Sequence, residues 1–274
     1  MKCAKVLILG IIILASYIGT AYAHESSVNE KVRKARKSFA LIKVNVLIKP
    51  VSCTYASQTG LNLSREKCDI SSYLPKTLKS VGSGAVIKHV LNKTYVLTAA
   101  HVCSHPRTDT RIVGHKEITV HLVPSAIVRD VSGNDRFAKI FALDVKNDLC
   151  ILEVNGKFGH PLPVAKKMPP LPSLVFSYGA PLGINHPGMV LFYTGYSAGP
   201  HYDDNYERTT YFYTLVIRGG SSGSSIINNE GEIIGVVHTA IVGLQKMAIA
   251  ANLKSIRSIL KHVPRVGYEK NNSN

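Results

Sequence analysis

Three short segments carry side chains able to do chemistry together. Residues 218–227, Arg-Gly-Gly-Ser-Ser-Gly-Ser-Ser-Ile-Ile, set Ser222 among glycines. Glycines on both sides permit a tight turn that aims backbone N–H groups inward. The N–H groups of Gly220 and Ser222 can then form an oxyanion hole. A flexible Gly/Ser linker has a similar composition, but strand-like apolar runs flank this segment directly. Thr98-Ala99-Ala100-His101-Val102 ends an apolar strand in two small residues and a histidine. The small residues let backbones pack closely while the imidazole projects from the strand end; by itself such a histidine is ordinarily structural. In residues 144–152, Asp148 immediately precedes an apolar run, and Asp144 is a rival carboxylate. Acids commonly flank strands, so this signal alone is weak. Taken together, the three types make a working set. A serine hydroxyl is a poor nucleophile until an imidazole takes its proton, and a carboxylate fixes that imidazole's tautomer.

The elements that must position these groups read as strands. Short runs rich in Val, Ile, Thr and Tyr are broken by Gly, Pro, Asn and Ser. Strands are expected near 39–48, 85–89, 95–98, 118–122, 138–143 and 150–154, with a loop-rich stretch at 51–78. A proline-rich connector at 161–172 precedes strands near 174–177, 189–195, 210–216, 225–227, 233–237 and 247–251. Leu253, Ile256, Ile259, Leu260 and Val263 recur at helical spacing and predict one amphipathic C-terminal helix. Two all-strand halves and a closing helix suggest two packed β-barrels. Periodicity alone does not separate these from a sandwich.

The chain start reads as an export signal. Lys2 and Lys5 precede an apolar run from Val6 to about Ile18, and Ala21-Tyr22-Ala23 supplies small residues for cleavage after Ala23. The alternative is an uncleaved anchor. Residues 24–37 form a polar, basic leader, and 265–274 a polar tail. The 274-residue chain carries 33 Lys and Arg against 17 acids, a formal charge of +16. Such a balance favours contact with anionic surfaces. The cluster Lys31, Arg33, Lys34, Arg36 and Lys37 can bind an anionic partner or simply be a solvated leader. Nothing points to specific nucleic-acid recognition. Beyond the first 23 residues four cysteines remain, and four allow three pairings. Cys53–Cys68 closes the shortest local loop. Cys103 and Cys150 flank the chemistry-bearing residues, and Cys150 can equally be a buried free thiol. No metal-ligand spacing is present. Asn62-Leu63-Ser64 and Asn92-Lys93-Thr94 fit glycosylation sequons.

The motifs occur in the order His, Asp, Ser. Together with Gly82-Ser83-Gly84 and Phe176-Ser177-Tyr178-Gly179-Ala180-Pro181-Leu182-Gly183, they resemble the chymotrypsin-like (trypsin-like) serine peptidases of bacterial and phage type, including HtrA-type peptidases. The resemblance spans roughly residues 80–262. It implies an all-β fold of two packed six-stranded antiparallel barrels with a C-terminal helix, over about 38–160 and 161–264. It implies His101 as general base, Asp148 as its orienting carboxylate and Ser222 as nucleophile. No cofactor is implied, and the expected partner is a protein or peptide substrate. Ser221 stands where digestive members carry an aspartate, and no activation-cleavage site is visible, so activation by a new N-terminus is not expected. Ser225 stands where proline is common. No PDZ-like module is expected after the C-terminal helix.

Counting back from Ser222 puts the primary-pocket floor near Val216, which carries no charge. His238, in Gly235-Val236-Val237-His238-Thr239, resembles the pocket histidine of glutamate-selective relatives, with one extra residue that can turn the side chain to the other face. The expected function is an exported serine endopeptidase, secreted or periplasmic. The alternatives are an inactive relative that binds peptides or anionic surfaces, and a defence factor whose charge targets membranes.

Overall fold

The computed structural model describes residues 30–55, 77–104, 108–113, 116–240 and 247–264. The proposed signal, leader residues 24–29, the sequon at Asn62, Cys68 and the tail 265–274 lie outside the described residues. The first half contains strands β1 (Phe39–Tyr55), β2 (Thr77–Val90), β3 (Lys93–Thr98), β4 (Thr108–Val113), β5 (Lys116–Asp130), β6 (Asp135–Asp144) and β7 (Leu149–Asn155). A one-turn helix, α1 (Ala100–Cys103), follows β3. The second half contains β8 (Leu174–Gly179), β9 (Leu191–Asp203), β10 (Arg208–Tyr213), β11 (Ser225–Ile227), β12 (Ile233–Ala240) and β13 (Ala248–Ala251), then helix α2 (Leu253–Leu260).

Each half closes into an antiparallel barrel of six strands. In the first the order is β1-β2-β3-β7-β6-β5, closed by pairing of β5 with β1, and β4 adds to the far side of β5. In the second the order is β10-β13-β12-β11-β8-β9, closed by β9 and β10. Barrels rather than a sandwich result because the first and last strands of each set hydrogen-bond, leaving no open edge in the ring.

The side-chain pattern explains the packing. On β1 the even-numbered Ala40, Ile42, Val44, Val46 and Ile48 point into the first barrel, while Lys43, Asn45 and Leu47 are less buried. Strands β3 and β7 are covered on both faces. Val96, Cys150 and Leu152 fill the first barrel; Tyr95, Leu97, Leu149 and Ile151 pack in a second cluster with Phe176, Ile227, Ile233 and Ile256. That second cluster joins the two barrels. Double coverage is why these strands read as continuous apolar runs rather than alternating ones. Asn252 caps α2 by accepting the Ser255 N–H at 2.9 Å, and the helix presses Leu253, Ile256 and Ile259 onto the barrels.

Four expectations need revision. The stretch expected as loop at 51–78 is strand at both ends, because β1 runs on to Tyr55 and β2 begins at Thr77. The strand expected at 118–122 runs on to Asp130 through Pro124. That proline sits where β4 has ended and β6 has not begun, so β5 has a partner on one side only. Strand β4 was not expected, because its polar residues lie on an exterior edge. The basic leader is not a solvated arm over residues 30–37. It forms helical turns that bury Val32 and Ala35 in the inter-barrel cluster. Tyr178 donates to the Val32 carbonyl at 3.0 Å, Lys31 pairs with Glu230, and Arg36 donates to the Gly188 carbonyl.

Candidate active site

Both strand ends that carry the imidazole and the carboxylate are fixed by local sequence. Ala99 and Ala100 are buried, so β3 passes into α1 in close contact with its neighbours, and His101 emerges with its side chain 48% exposed. Asp148 adopts positive φ, +51°, a conformation that aspartate tolerates better than most residues. Its N–H closes a turn onto the Val145 carbonyl at 3.2 Å. Asp144, the rival carboxylate, supports this loop instead. It accepts the Asn147 backbone N–H at 3.0 Å and the Asn147 side-chain N–H at 2.8 Å. Asn147 in turn accepts the Ser255 hydroxyl at 2.8 Å, which ties the loop to α2.

Asp148 and His101 are in direct contact. Asp148 Oδ2 lies 2.8 Å from His101 Nδ1, and Oδ1 accepts the His101 backbone N–H at 2.9 Å. Burial opposes ionisation of Asp148. The hydrogen bond from His101, and then the contact with His238, outweigh burial and hold the carboxyl well below the usual carboxylate range. A disulfide joins Cys103 to Cys150, so α1 and the start of β7 are bonded covalently two residues beyond His101 and Asp148. Cys150 is therefore not a free thiol.

Ser222 comes from the second barrel. Residues 218–221 form a turn closed by the Ser221 N–H on the Arg218 carbonyl at 2.9 Å, with Gly220 at φ +92°. Positive φ at the third position marks a type II turn, which glycine adopts without strain. The Gly219 carbonyl accepts the Leu182 N–H at 2.6 Å. Because the peptide is trans, the Gly220 N–H points the opposite way. Neither that N–H nor the Ser222 N–H has a backbone partner among the described residues. Gly223 is required twice over. Its φ is +85°, and a Cβ there would meet Thr98 Oγ1 at 2.1 Å and the Ser83 carbonyl at 2.2 Å. The barrels touch at this point, where the Ser83 N–H donates to the Ser222 carbonyl at 2.7 Å. Ser83 Oγ also donates to the Gly220 carbonyl at 2.8 Å. The Ser222 hydroxyl donates to the His238 carbonyl at 3.2 Å. Ser221, in the place of the activation aspartate, is buried and its Oγ accepts the Arg218 N–H at 3.3 Å.

His101, Asp148, Ser222 and His238 line one cleft of 590 Å³. Asp203, Tyr206 and Arg208 of the β9–β10 hairpin also line it. The Arg208 guanidinium stacks 4.5 Å from the Tyr206 ring centroid, reaches Asp203 at 3.4 Å and donates to the Lys146 carbonyl at 3.0 Å. No feature of the sequence distinguishes these hairpin residues from other surface residues. Val216 stands 38% exposed and does not line this cleft. His238, raised as a primary-pocket contact, is instead taken up by Asp148, with Nδ1 3.0 Å from Oδ2. Among the described residues no cluster of His, Cys, Asp and Glu could hold a metal ion.

Comparison with known proteins agrees with this architecture. The model of the trypsin-like peptidase domain matches residues 82–236. Two Staphylococcus aureus proteins described as HtrA-like serine proteases are 26% and 27% identical over 210 and 221 residues. Those matches cover 72% of this chain and 25% of each relative, so the chain spans about a quarter of their length. Among solved structures, the active form of the Rv3671c protease from M. tuberculosis aligns with a TM-score of 0.57 at 17% identity, covering 87% of this chain and 86% of that one. An HtrA-type protease, AlgW, with a tripeptide aligns with a TM-score of 0.59 at 14% identity, covering 85% and 62%. At these identities the structural likeness speaks for the fold. The domain match takes in more than half of the 274 residues and includes the His101, Asp148 and Ser222 motifs; the chain belongs to the trypsin-like peptidase family.

Proposed function

We propose that this protein is an exported serine endopeptidase that cleaves peptide bonds through an acyl-enzyme. Ser222 Oγ attacks the scissile carbonyl. His101 Nε2 accepts the hydroxyl proton and later returns it to the leaving amine. Asp148 holds the imidazole with Nδ1–H toward itself and stabilises the imidazolium. The N–H groups of Gly220 and Ser222 receive the developing oxyanion. The Ser222 hydroxyl donates to the His238 carbonyl, and before attack it must turn to His101. Hydrogen bonds at such sites often align fully only with substrate bound.

The observation that carries the proposal is the direct contact of His101 Nδ1 with Asp148 in one cleft with Ser222, beside a type II turn whose Gly220 and Ser222 N–H groups have no backbone partner among the described residues. Export rests on the N-terminal sequence alone. A fluorophosphonate probe tests the assignment. Modification of the purified protein at Ser222, read by peptide mass spectrometry, and its loss in His101→Ala are expected. No modification of the folded wild-type chain would leave an inactive, peptide-binding member of the family.

A further inference from the structure

We propose that the N-terminal helical turns and the loop after β7 form a basic face that docks the protein on an anionic lipid surface. The contact does not depend on the triad assignment.

The sequence sets up the face. Glu30, Arg33, Lys34 and Lys37 are spaced i, i+3, i+4 and i+7, so helical turns carry them on one side, and Val32 and Ala35 fall on the other. The structure follows that division: Val32 and Ala35 are buried, and the four charged residues are exposed. Contacts on both barrels fix the turns. Tyr178 donates to the Val32 carbonyl, Lys31 pairs with Glu230 and Arg36 reaches the Gly188 carbonyl. The Ser38 hydroxyl closes the segment on the Ala35 carbonyl at 2.7 Å. The outward cations therefore sit on an ordered backbone, and docking them costs no further ordering of the chain.

The first barrel extends the array. The His160 N–H donates to the Lys37 carbonyl at 3.1 Å, and His89 donates from Nε2 to the Phe158 carbonyl at 2.8 Å. Gly159, at φ +66°, lets the loop approach closely: a Cβ there would meet the Lys37 carbonyl at 2.9 Å. Burial lowers the basicity of His160, and Lys34, Lys37 and His89 lower it further by repulsion, as expected of cations gathered in one place. Among the described residues Arg33, Lys34 and Lys37 form no ion pair, and Glu30 is the acid that shares their side of the turns. Unneutralised cations held together gain from an external array of anions.

Two observations favour lipid phosphates as that array. The outward side of the turns has no apolar residue, because Val32 and Ala35 are used between the barrels. The contact is thus electrostatic and peripheral, without insertion. The apolar run Val6–Ile18, which brings the chain to a membrane during export, ends twelve positions before Glu30. Basic clusters so close to a membrane-directed segment suit anionic headgroups. None of these residues lines the catalytic cleft.

Sedimentation of the full chain with vesicles tests the proposal. Phosphatidylglycerol–phosphatidylcholine vesicles are compared with phosphatidylcholine alone, which measures any contribution of the apolar run. Lys34→Gln/Lys37→Gln is compared with Lys166→Gln/Lys167→Gln, which removes the same charge from an exposed pair in the connector. Folding is checked by near-UV circular dichroism. Wild type is expected to prefer the anionic vesicles and to lose that preference as salt rises. Lys34→Gln/Lys37→Gln should weaken anionic binding about 25-fold, roughly fivefold per lysine. The connector variant should stay within about twofold of wild type, because it lies off the docking face. Equal losses in the two variants would show net charge rather than this face, and would overturn the proposal. So would equal binding to both kinds of vesicle, or binding of soluble polyphosphate without binding of anionic vesicles.

Discussion

Asp148 holds His101 at two points, accepting its backbone N–H on one oxygen and facing its ring Nδ1 with the other. A single contact would fix a distance; two fix the angle between ring and chain as well. Replacement by an amide keeps the shape but presents an N–H to one of these donors, which favours the wrong tautomer. Asp148→Asn is expected to slow Ser222 acylation on the order of 10³- to 10⁴-fold, the upper figure being that of the template triad. The Asp144 side chain hydrogen-bonds Asn147 within its own loop, where an asparagine can still accept the backbone N–H. Asp144→Asn should keep activity within a few-fold. Reversed effects on the acylation rate would show that the carboxylates are misassigned.

The Cys103–Cys150 disulfide spans 47 residues and closes a loop that contains β4, β5 and β6. Cross-links of this kind stabilise by about 2–4 kcal/mol, largely through the unfolded chain. The double replacement Cys103→Ala/Cys150→Ala is expected to lower the urea midpoint by a corresponding amount. Activity is expected to fall as well, because the bond joins the two elements that carry His101 and Asp148. Unchanged labelling of Ser222 in the folded double variant would separate the bond from the site.

The N-terminal helical turns bury Val32 and Ala35 between the barrels. A valine of that burial contributes about 1.5–3 kcal/mol by removal of apolar surface from water. Val32→Asp places an unpaired charge in the same cluster and should cost more than that, read as a drop in Tm. If Val32→Asp melts with the wild type, these turns do not support the fold. The sequence hides this packing because only two apolar side chains interrupt a run of lysines and arginines.

The same reason separates what was legible from what was not. Motifs whose requirement is local could be read directly: glycine at 220 and 223 for positive φ, alanines before His101 for close approach. Strands β3 and β7 were legible because both faces are buried. Features set by register were not. The bulge that turns His238 shows in Gly-Val-Val-His-Thr only as one residue more than the glutamate-selective pattern, Pro124 disguises the length of β5, and the partner of Cys150 depends on where α1 comes to rest.

Acid should destabilise the fold in two steps. Burial lowers the basicity of His238 in the folded chain, so the unfolded chain binds more protons once pH falls below about 6.5. Asp148 is also held below its ordinary range, so its contribution is present above about pH 4 and lost as pH falls further. Both slopes have the same sign: stability falls with pH. Thermal melts between pH 7.5 and 4.5 should show a declining Tm, and His238→Asn should flatten the part above pH 5. A Tm that rises on acidification to pH 5.5 would contradict the direction given for His238.

Primary specificity is expected to exclude Lys and Arg. Val216, the expected pocket floor, stands outside the cleft, and the cleft's acids are already engaged, Asp148 by His101 and Asp203 by Arg208, so burying a substrate ammonium there without a free partner would be costly. The formal charge of +16 also disfavours basic substrates at low salt. His238 is engaged by Asp148, so it does not supply a glutamate-selecting donor, and an apolar or uncharged residue before the cleaved bond is the expectation. Cleavage of a proteome-derived peptide library, read by mass spectrometry, tests this. Predominant cleavage after Lys or Arg by the wild type would refute this exclusion, and a glutamate preference abolished in His238→Asn would return that histidine to substrate recognition.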